Sequence, residues 1–376
     1  MRSLRYWSVF LISLVITGCA SNNVDVYDRN PAVDAAARYA IKKVVGQHTN
    51  QPFDEIAFEA LINVLAKETE KFWGDRKIAS RSEYVKYSNR YKTRVFVDFE
   101  RGRVHVETLD QGDLRNAIIR VLLTPEDQKN VDVFSARDVV FGEEPMLYKQ
   151  VLDHDGQPIR WEWRAGRYAD YLIENQSFRR RTDRGQVVGV DFELTKNYME
   201  QRQYQYASIV QTHAQKYRID ESLIYAVMRT ESHFNPYAVS PSNAYGLMQI
   251  IPSTAGKDVF QRIKKRSGQP TREYLFQPWN NIDTGTAYLH ILETVYLKDI
   301  RDPLSKRYAI ISAYNGGAGN VMKTFHSDRK RAVDAINKLS PSQVYWALTK
   351  KHPRDESRRY LEKVTTAEKD FRNGNA

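Results

Sequence analysis

The chain has 376 residues and a formal net charge of +11, with 41% hydrophobic and 27% charged residues. This length suits about two domains, and the composition excludes a disordered chain and a polytopic membrane protein. The single cysteine excludes a disulfide scaffold, a structural zinc cluster and an iron–sulfur site. The excess of basic residues indicates an anionic partner.

The first 18 residues have the layout of a secretory signal. Basic Arg2 and Arg5 precede an apolar run over residues 6–16. This run is too short to span a bilayer as a permanent helix, and small residues follow it, as they do before a cleavage site. We therefore expect residues 1–18 to be a signal peptide.

The end of this signal, Ile16-Thr17-Gly18-Cys19, resembles a bacterial lipobox. In that pattern the cysteine is acylated and becomes the new N-terminus, and the lone cysteine of the chain lies at the required place. Because Ala20 follows rather than aspartate, the resemblance implies an outer-membrane lipoprotein that faces the periplasm. The alternative is an ordinary cleaved signal with an incidental cysteine.

The residues that follow the signal are predicted to form a polar tether and then an α+β domain. Residues 19–50 are predicted to be the lipidated tether, with a possible short helix over 34–45. Residues 51–195 predict an α+β domain, because apolar positions show helical spacing in some segments and strict alternation in others. The predicted elements are helices over 53–73 and 113–123, a hairpin of 93–100 with 103–109, a second hairpin of 146–152 with 159–163, and a strand over 187–194.

The strand pattern ends near Leu194, and helical periodicity continues to the C-terminus. Residues 196–376 therefore predict an all-α domain. Its predicted helices cover 198–216, 221–233, 281–296 and 305–315, a segment that starts at Ser340-Pro341, and 356–369.

One carboxylate is notable on the helix predicted over 221–233. The apolar stripe of this helix consists of Leu223, Ile224, Val227 and Met228, and the same face reaches Glu231 near the helix C-terminus. Burial and the negative end of the helix dipole both raise the pKa of a carboxyl. A glycosidase general acid has to stay protonated near neutral pH. The alternative is a solvated glutamate at the edge of the helix.

Several motifs follow in a fixed order from this glutamate onward. They are Glu231-Ser232, Asn235-Pro236, Ser240, Gly246-Leu247-Met248-Gln249, Pro278-Trp279-Asn280-Asn281, Ala313-Tyr314-Asn315-Gly316-Gly317 and Glu356-Ser357-Arg358-Arg359-Tyr360. In order and spacing they resemble the lytic transglycosylase family with a goose-type-lysozyme-like catalytic domain, over residues 205–365. The family often has Met where this chain has Ile251, which weakens any expectation of a thioether contact there.

The resemblance implies a lysozyme-like fold for the helical half and cleavage of peptidoglycan. The bond cut would be the β-1,4 link between N-acetylmuramic acid and N-acetylglucosamine, and the product a 1,6-anhydromuramoyl end. Glu231 would be the sole catalytic acid and base, because the N-acetyl group of the substrate can take the place of the second carboxylate that most glycosidases need. No cofactor and no metal ion is implied.

The resemblance also implies roles for six neighbours of Glu231. Ser240 and Gln249 would hydrogen-bond the sugar, Tyr314 would position Glu231 or the acetamido group with support from Asn315, and Glu356 and Tyr360 would line the cleft. From the residues alone, Ser240 can equally cap a turn and Tyr314 can be a core residue. Gly246 is expected where two segments pack closely.

Other patterns carry no chemistry. The histidines lack zinc-site spacing, and Gly316-Gly317-Ala318-Gly319 lacks the lysine and hydroxyl residue of a phosphate loop. The triplet Arg179-Arg180-Arg181 predicts a solvated basic turn, with contact to an anionic glycan or lipid surface as the alternative.

Three competing functions stay open on sequence grounds. They are a lysozyme-type hydrolase of the same fold, a non-catalytic glycan-binding scaffold, and a nucleic-acid-binding protein. The signal directs the chain away from nucleic acid, so the last is the weakest. Because every motif of the family follows Leu194, we also expect a fragment from about residue 196 to retain cleavage.

Overall fold

The computed structural model describes residues 63–373 apart from positions 64, 68, 76, 127–135, 137, 138, 140 and 143. The predicted signal peptide (1–18), Cys19, the tether (19–50) with its short helix, and most of the helix predicted over 53–73 lie outside the described residues. Residues 69–73 are described and helical, which confirms the C-terminal end of that last prediction.

The first half of the described chain is built on a five-stranded antiparallel sheet. The strands are β1 (Glu83–Ser88), β2 (Thr93–Asp98), β3 (Arg103–Thr108), β4 (Ser177–Thr182) and β5 (Gly185–Glu193), in the spatial order β1-β2-β3-β5-β4. The predicted hairpin of β2 and β3 is confirmed, with Thr93 opposite Thr108 and Asp98 opposite Arg103. The strand predicted over 187–194 corresponds to β5.

Two helices pack together against this sheet. They are α1 (Leu114–Leu122) and α2 (Glu162–Gln176), which contact each other and the strands β2, β3 and β5. The helix predicted over 113–123 is thereby confirmed as α1. Its apolar side chains are inside, where Ala117 and Ile118 have no exposed surface.

The second predicted hairpin is wrong. Residues 146–152 form turns, Glu162 already belongs to α2, and a single bridge joins Leu152 to Pro158. The Asp153 carboxylate holds this segment as a loop, since it accepts the backbone N–H groups of Asp155 at 3.0 Å and Gln157 at 2.8 Å. These local hydrogen bonds compete with a strand ladder.

Two strands of the sheet were not predicted. β1 is buried on both faces along most of its length, so its sequence does not alternate, and β4 is a polar edge strand. The basic triplet within β4 is therefore part of a strand rather than a turn. Arg180 pairs with buried Glu107 at 2.6 Å, while Arg179 and Arg181 are exposed. Charged side chains on an edge strand oppose unwanted pairing with another chain.

The second half of the described chain is helical. Its helices are α3 (Tyr198–Gln205), α4 (Ala207–Tyr217), α5 (Glu221–Ser232), α6 (Lys257–Arg262), α7 (Arg272–Phe276), α8 (Pro278–Ile291), α9 (Pro303–Gly316), α10 (Ala318–Phe325), α11 (Arg329–Ile336), α12 (Pro341–Lys350) and α13 (Asp355–Arg372). The predicted succession of an α+β half and an all-α half is confirmed. None of the helices that the structure describes is both long enough and apolar enough to cross a bilayer.

Helix boundaries differ from expectation at two points. The segment predicted as one helix over 198–216 divides at Tyr206, whose φ of −101° and ψ of 6° interrupt the helix between α3 and α4. The helix predicted over 281–296 ends in a π-helical turn, Leu292–Tyr296, after α8. The short helices α6, α7, α10 and α11 were not predicted, because each holds too few turns to show a periodic stripe.

The two halves share one hydrophobic core. Tyr237 from the helical half packs edge-on against Tyr84 of β1, with 5.1 Å between ring centroids, and donates to the carbonyl oxygen of Pro125 at 2.6 Å. Arg202 of α3 is 1% exposed and places its guanidinium 3.6 Å from the ring of Phe99. Apolar side chains of both halves are therefore removed from water into the same core when the chain folds.

Candidate active site

Glu231 lies on the last turn of α5, where the buried face of the helix meets the helical core. Asp220 precedes the helix in extended conformation, and His233 ends it with a left-handed φ of 51°. Leu223 and Val227 have no exposed surface, and Glu231 itself is 4% exposed. The predicted burial of this carboxyl is thereby confirmed.

The environment of Glu231 favours its protonated form. Burial raises the pKa of Glu231 to about 7, against an ordinary value of 4.5; the charge of Arg81 and the hydroxyl of Tyr360 oppose this rise, and the charge of Glu356 adds to it. Arg81 Nη1 lies 4.0 Å from Glu231 Oε2. The group can therefore hold or release a proton near neutral pH, as a general acid and base must.

Two tyrosines face this carboxyl from α9 and α13. Burial and the charge of Glu231 raise the pKa of both Tyr314 and Tyr360 well above 10, so both hydroxyls stay neutral. Tyr314 donates to the carbonyl oxygen of Met248 at 2.8 Å. The Tyr360 hydroxyl is buried and has no partner at hydrogen-bond distance among the described residues, yet it lies close enough to Glu231 to affect its pKa.

Glu356 differs from Glu231 in exposure and in protonation. Its side chain is 43% exposed, and its carboxylate accepts from Arg81 Nη2 at 3.0 Å and from Asn315 Nδ2 at 3.5 Å. Burial would raise the pKa of Glu356, but the hydrogen bond and charge of Arg81, the Asn315 amide and the charge of Arg354 together lower it. Arg81 thus lies between Glu231, whose carboxyl can keep its proton near neutral pH, and Glu356, whose carboxylate is ionised.

The Gly246-Leu247-Met248-Gln249 segment is fixed against α5 and α8 by polar side chains. Buried Asn281 accepts from the N–H of Met248 at 2.8 Å and donates to the carbonyl oxygens of Tyr245 and Leu275. The Ser232 hydroxyl donates to the carbonyl oxygen of Leu247 at 2.7 Å. These bonds join the residue next to Glu231 to the loop that follows it.

Ser240 and Gln249 make their hydrogen bonds within this loop. Ser240 is 2% exposed, and its hydroxyl accepts from the N–H of Ala244 at 3.2 Å, which is the turn-capping arrangement left open above. Gln249 donates to the carbonyl oxygens of Ala238 and Gly246, while its own side-chain oxygen has no partner among the described residues. Contact of either side chain with a sugar stays a prediction.

Sequence reasoning missed Arg81, which lies outside every motif. It precedes β1 in the sheet half, 275 positions before its partner Glu356. An arginine in a polar turn gives no signal of such a contact. Within the described residues, no three His, Cys, Asp or Glu side chains are grouped so that they can hold a metal ion.

Two family profiles match successive parts of the chain. The one described as "Membrane-bound lytic murein transglycosylase C, N-terminal domain" matches residues 51–205, and the one described as "Transglycosylase SLT domain" matches residues 208–337. The helical half with its buried glutamate is thus that of a lytic transglycosylase.

The relatives match most of the chain. Identity is 48% to the membrane-bound lytic murein transglycosylase C of Yersinia enterocolitica, covering 87% of this chain and 93% of that protein. It is 45% to the protein of the same name from Photorhabdus laumondii, covering 97% and 98%. The chain therefore belongs to the membrane-bound lytic murein transglycosylase C family. Among solved structures, the 70 kDa soluble lytic transglycosylase Slt70 of Escherichia coli is 27% identical, with a TM-score of 0.36 over 45% of this chain and 24% of that one.

Proposed function

We propose that Glu231 is the only acid and base of this peptidoglycan-cleaving lyase. The observation that carries the proposal is its buried carboxyl, with a pKa raised to about 7. A single group can serve both steps of the reaction only if both of its protonation states are accessible near the working pH. Among the carboxyls described at this site, Glu231 alone meets that condition, since Glu356 is held ionised by Arg81.

The reaction we propose is internal to the substrate. Glu231 donates its proton to the glycosidic oxygen as the bond from that oxygen to the muramoyl anomeric carbon breaks. The acetamido group of the same sugar stabilises the cationic centre. The C6 hydroxyl then bonds to the anomeric carbon and returns its proton to Glu231, so no water is consumed and a 1,6-anhydromuramoyl end is left.

The residues around Glu231 support binding of a polar sugar chain. The buried side-chain oxygen of Gln249 lacks a partner among the described residues, and an unsatisfied buried polar atom is costly unless a ligand supplies the missing bond. Tyr360 and half-exposed Glu356 both lie near enough to Glu231 to affect its pKa. We propose that Gln249, Tyr360, Glu356 and Ser240 bind the substrate. Tyr314 supports the site by holding the main chain at Met248, and Asn315 does so by donating to Glu356 and accepting from the Ser357 hydroxyl.

The chain is a membrane-associated enzyme, as the name of its family states. We propose that the association is a lipid anchor on Cys19, placed on the periplasmic side of the outer membrane after residues 1–18 are removed. The lipobox-like ending and Ala20 support this. Multiple acyl chains anchor a protein stably. Mass spectrometry of the N-terminal peptide from the membrane fraction tests it, and an unmodified Cys19 there would contradict it.

The test of the catalytic proposal is Glu231→Gln, assayed by digesting sacculi and identifying released muropeptides by mass. Glutamine has nearly the same shape but cannot donate this proton, so turnover should fall by more than the roughly 10²–10⁴-fold typical of acid–base catalysis, because one group serves both steps. Glu221→Gln is the matched control, since it makes the same change on the exposed first turn of α5.

Three outcomes would contradict the proposal. Near-wild-type release of anhydro-muropeptides by Glu231→Gln would mean that another carboxyl is the acid, with Glu356 the first to test. Products of the unaltered enzyme that are heavier than the anhydro form by one water would indicate a hydrolase. Release of no product by the unaltered chain would indicate a glycan-binding scaffold.

A further inference from the structure

Arg81 reaches the catalytic carboxyl from the other half of the molecule. Its guanidinium lies 4.0 Å from Glu231 Oε2 through Nη1 and 3.0 Å from Glu356 Oε1 through Nη2. Both carboxyls belong to the helical half, on α5 and α13, whereas Arg81 precedes β1 of the sheet. The site is therefore assembled from both halves of the chain.

The backbone that carries Arg81 is fixed on both sides. Within the sheet half, the N–H of Ser80 donates to the carbonyl oxygen of Glu83 at 3.1 Å, and the Ser80 hydroxyl accepts from the N–H of Glu83 at 3.2 Å. These two bonds close a tight turn with Arg81 inside it. The side chain of Arg81 thus leaves a rigid turn rather than a free loop.

The helical half binds the same turn through its main chain. Buried Asn235 donates from Nδ2 to the carbonyl oxygen of Arg81 at 3.3 Å, and the N–H of Val239 donates to that of Ser80 at 3.4 Å. Asn235 belongs to the Asn-Pro motif that follows Glu231 in the sequence. Asn235 of this motif therefore helps to hold the turn that directs Arg81 toward Glu231.

A purely stabilising role does not account for this arrangement. The ion pair of Arg81 with Glu356 joins side chains that are 41% and 43% exposed, and such pairs add little to folding stability. The side chain of Glu231 is only 5% exposed, so solvent screens the charge of Arg81 less at Glu231 than at Glu356. The larger effect of Arg81 is thus on the carboxyl of Glu231.

We propose that Arg81 is a positioning residue that stabilises the Glu231 carboxylate between its donation of one proton and its recovery of the next. The inference rests on the proposed role of Glu231 as sole acid and base. Without a nearby cation, a carboxylate at this buried position would be uncompensated. Glu356 keeps the guanidinium in place from the exposed side of the site.

Other groups that face Glu231 do not supply this charge. Tyr360 from α13 and Tyr314 from α9 are neutral hydroxyls over the working range, because the pKa of each lies well above 10. Glu356 is negative and acts in the opposite direction. Arg354 lies 3.5 Å from Glu356 on its exposed side. Of the cations that the structure describes near the site, Arg81 is the one that lies within 4.0 Å of the Glu231 carboxyl.

The experiment is the pH profile of kcat/KM for the full chain in detergent, with a soluble glycan strand as substrate and anhydro product measured by mass. The unaltered enzyme should lose activity as pH rises through about 7, because the acid form starts the reaction. Arg81→Gln removes the cation, so this alkaline limb of the profile, where kcat/KM falls, should move up by about 1–3 pH units. Arg81→Lys keeps the charge, so most of this upward shift should be absent and the pH profile should return close to that of the unaltered enzyme.

Glu356→Gln provides the opposite test. It removes a negative charge that raises the pKa of Glu231, so the pH at which activity falls should move to a lower value. A folded Arg81→Gln variant whose limb coincides with that of the unaltered enzyme would overturn the inference, and so would shifts of both variants in the same direction. If Glu231→Gln is inactive while these limbs do not move, the proposed function stands and only the role of Arg81 fails.

Discussion

At the scale of single residues, two carboxyls close together in this site have opposite protonation preferences. Glu231 is buried at the end of α5 and keeps its proton to about pH 7, whereas Glu356 is half-exposed, bonded to Arg81 and ionised. The same type of side chain is thus protonated near neutral pH in one place and an ionised counter-ion of Arg81 in the other. The difference comes from solvent exposure and from which side of the guanidinium each carboxyl occupies.

The raised pKa of Glu231 predicts a pH-dependent cost to folding. Below about pH 4.5 the carboxyl is neutral in both the folded and the unfolded chain, and between about 4.5 and 7 only the folded chain retains the proton. The contribution of Glu231 to the free energy of unfolding is therefore present in full at low pH. It is lost as pH rises through about 7, and the total loss is about 3 kcal/mol.

Glu231→Gln removes this loss. Its free energy of unfolding, measured with urea at pH 5 and at pH 8, should rise relative to that of the unaltered chain between the two values, by up to about 3 kcal/mol. Glu221→Gln on the exposed turn of the same helix should follow the unaltered chain at both values. A constant difference between Glu231→Gln and the unaltered chain would mean that Glu231 is not protonated in the fold.

At the scale of elements, the site depends on how one loop is held between α5 and α8. Gly246 has a φ of 72°, and a Cβ there would lie 2.4 Å from Asn281 Nδ2 and 2.6 Å from the carbonyl oxygen of Leu275. Asn281 uses the same amide to hold the loop at Tyr245 and Met248. The close packing expected at Gly246 is confirmed, and it is packing against the residue that fixes the loop.

We predict that Gly246→Ala destabilises the protein more than backbone strain alone requires. Gly156 is a matched control, because its φ is 73° and a Cβ there meets nothing within 4 Å. Thermal or urea unfolding should show Gly246→Ala to cost about 1–3 kcal/mol more than Gly156→Ala, from overpacking. Equal costs for the two variants would mean that the loop moves aside without loss.

At the scale of the whole molecule, the two halves are joined by buried polar and apolar contacts. Arg202 of α3 donates from Nη1 to Gln150 at 2.8 Å and from Nε to the carbonyl oxygen of His233 at 3.1 Å, and its pKa is lowered to about 10 by burial. Phe99 covers its guanidinium from the sheet side. His233, which ends α5 two residues after Glu231, is therefore held by a side chain that also binds the first half.

This geometry reverses the expectation for a fragment that starts at about residue 196. Such a fragment lacks Arg81, and it leaves Arg202 without Gln150 and Phe99. We predict a lower unfolding temperature than that of the whole chain and a loss of cleavage, measured by circular dichroism and by digestion of sacculi. A fragment with the unfolding temperature and turnover of the whole chain would show that the first half contributes to neither.

Several elements whose side chains repeat with a clear period could be predicted from the residues alone. The stripe from Leu223 to Met228 predicted α5 and the burial of Glu231, because neighbours on one helix face share its environment. Alternation likewise predicted β2 and β3. The same rule failed for β1, buried on both faces, and for the segment at Trp161 and Trp163, whose alternating aromatic side chains are 60% and 56% exposed.

Which charged side chains lie near Glu231 depends on long-range packing and could not be predicted from local patterns. Arg81 and Glu356 are 275 positions apart, and no periodic pattern links a turn before a strand to the first turn of the last helix. Their contact depends on how the sheet packs against the helical half, through Tyr84 and Tyr237 among others. Burial of Glu231 follows from local periodicity, but its electrostatic partners follow from long-range packing, since charge interactions depend on distance in space and not along the chain.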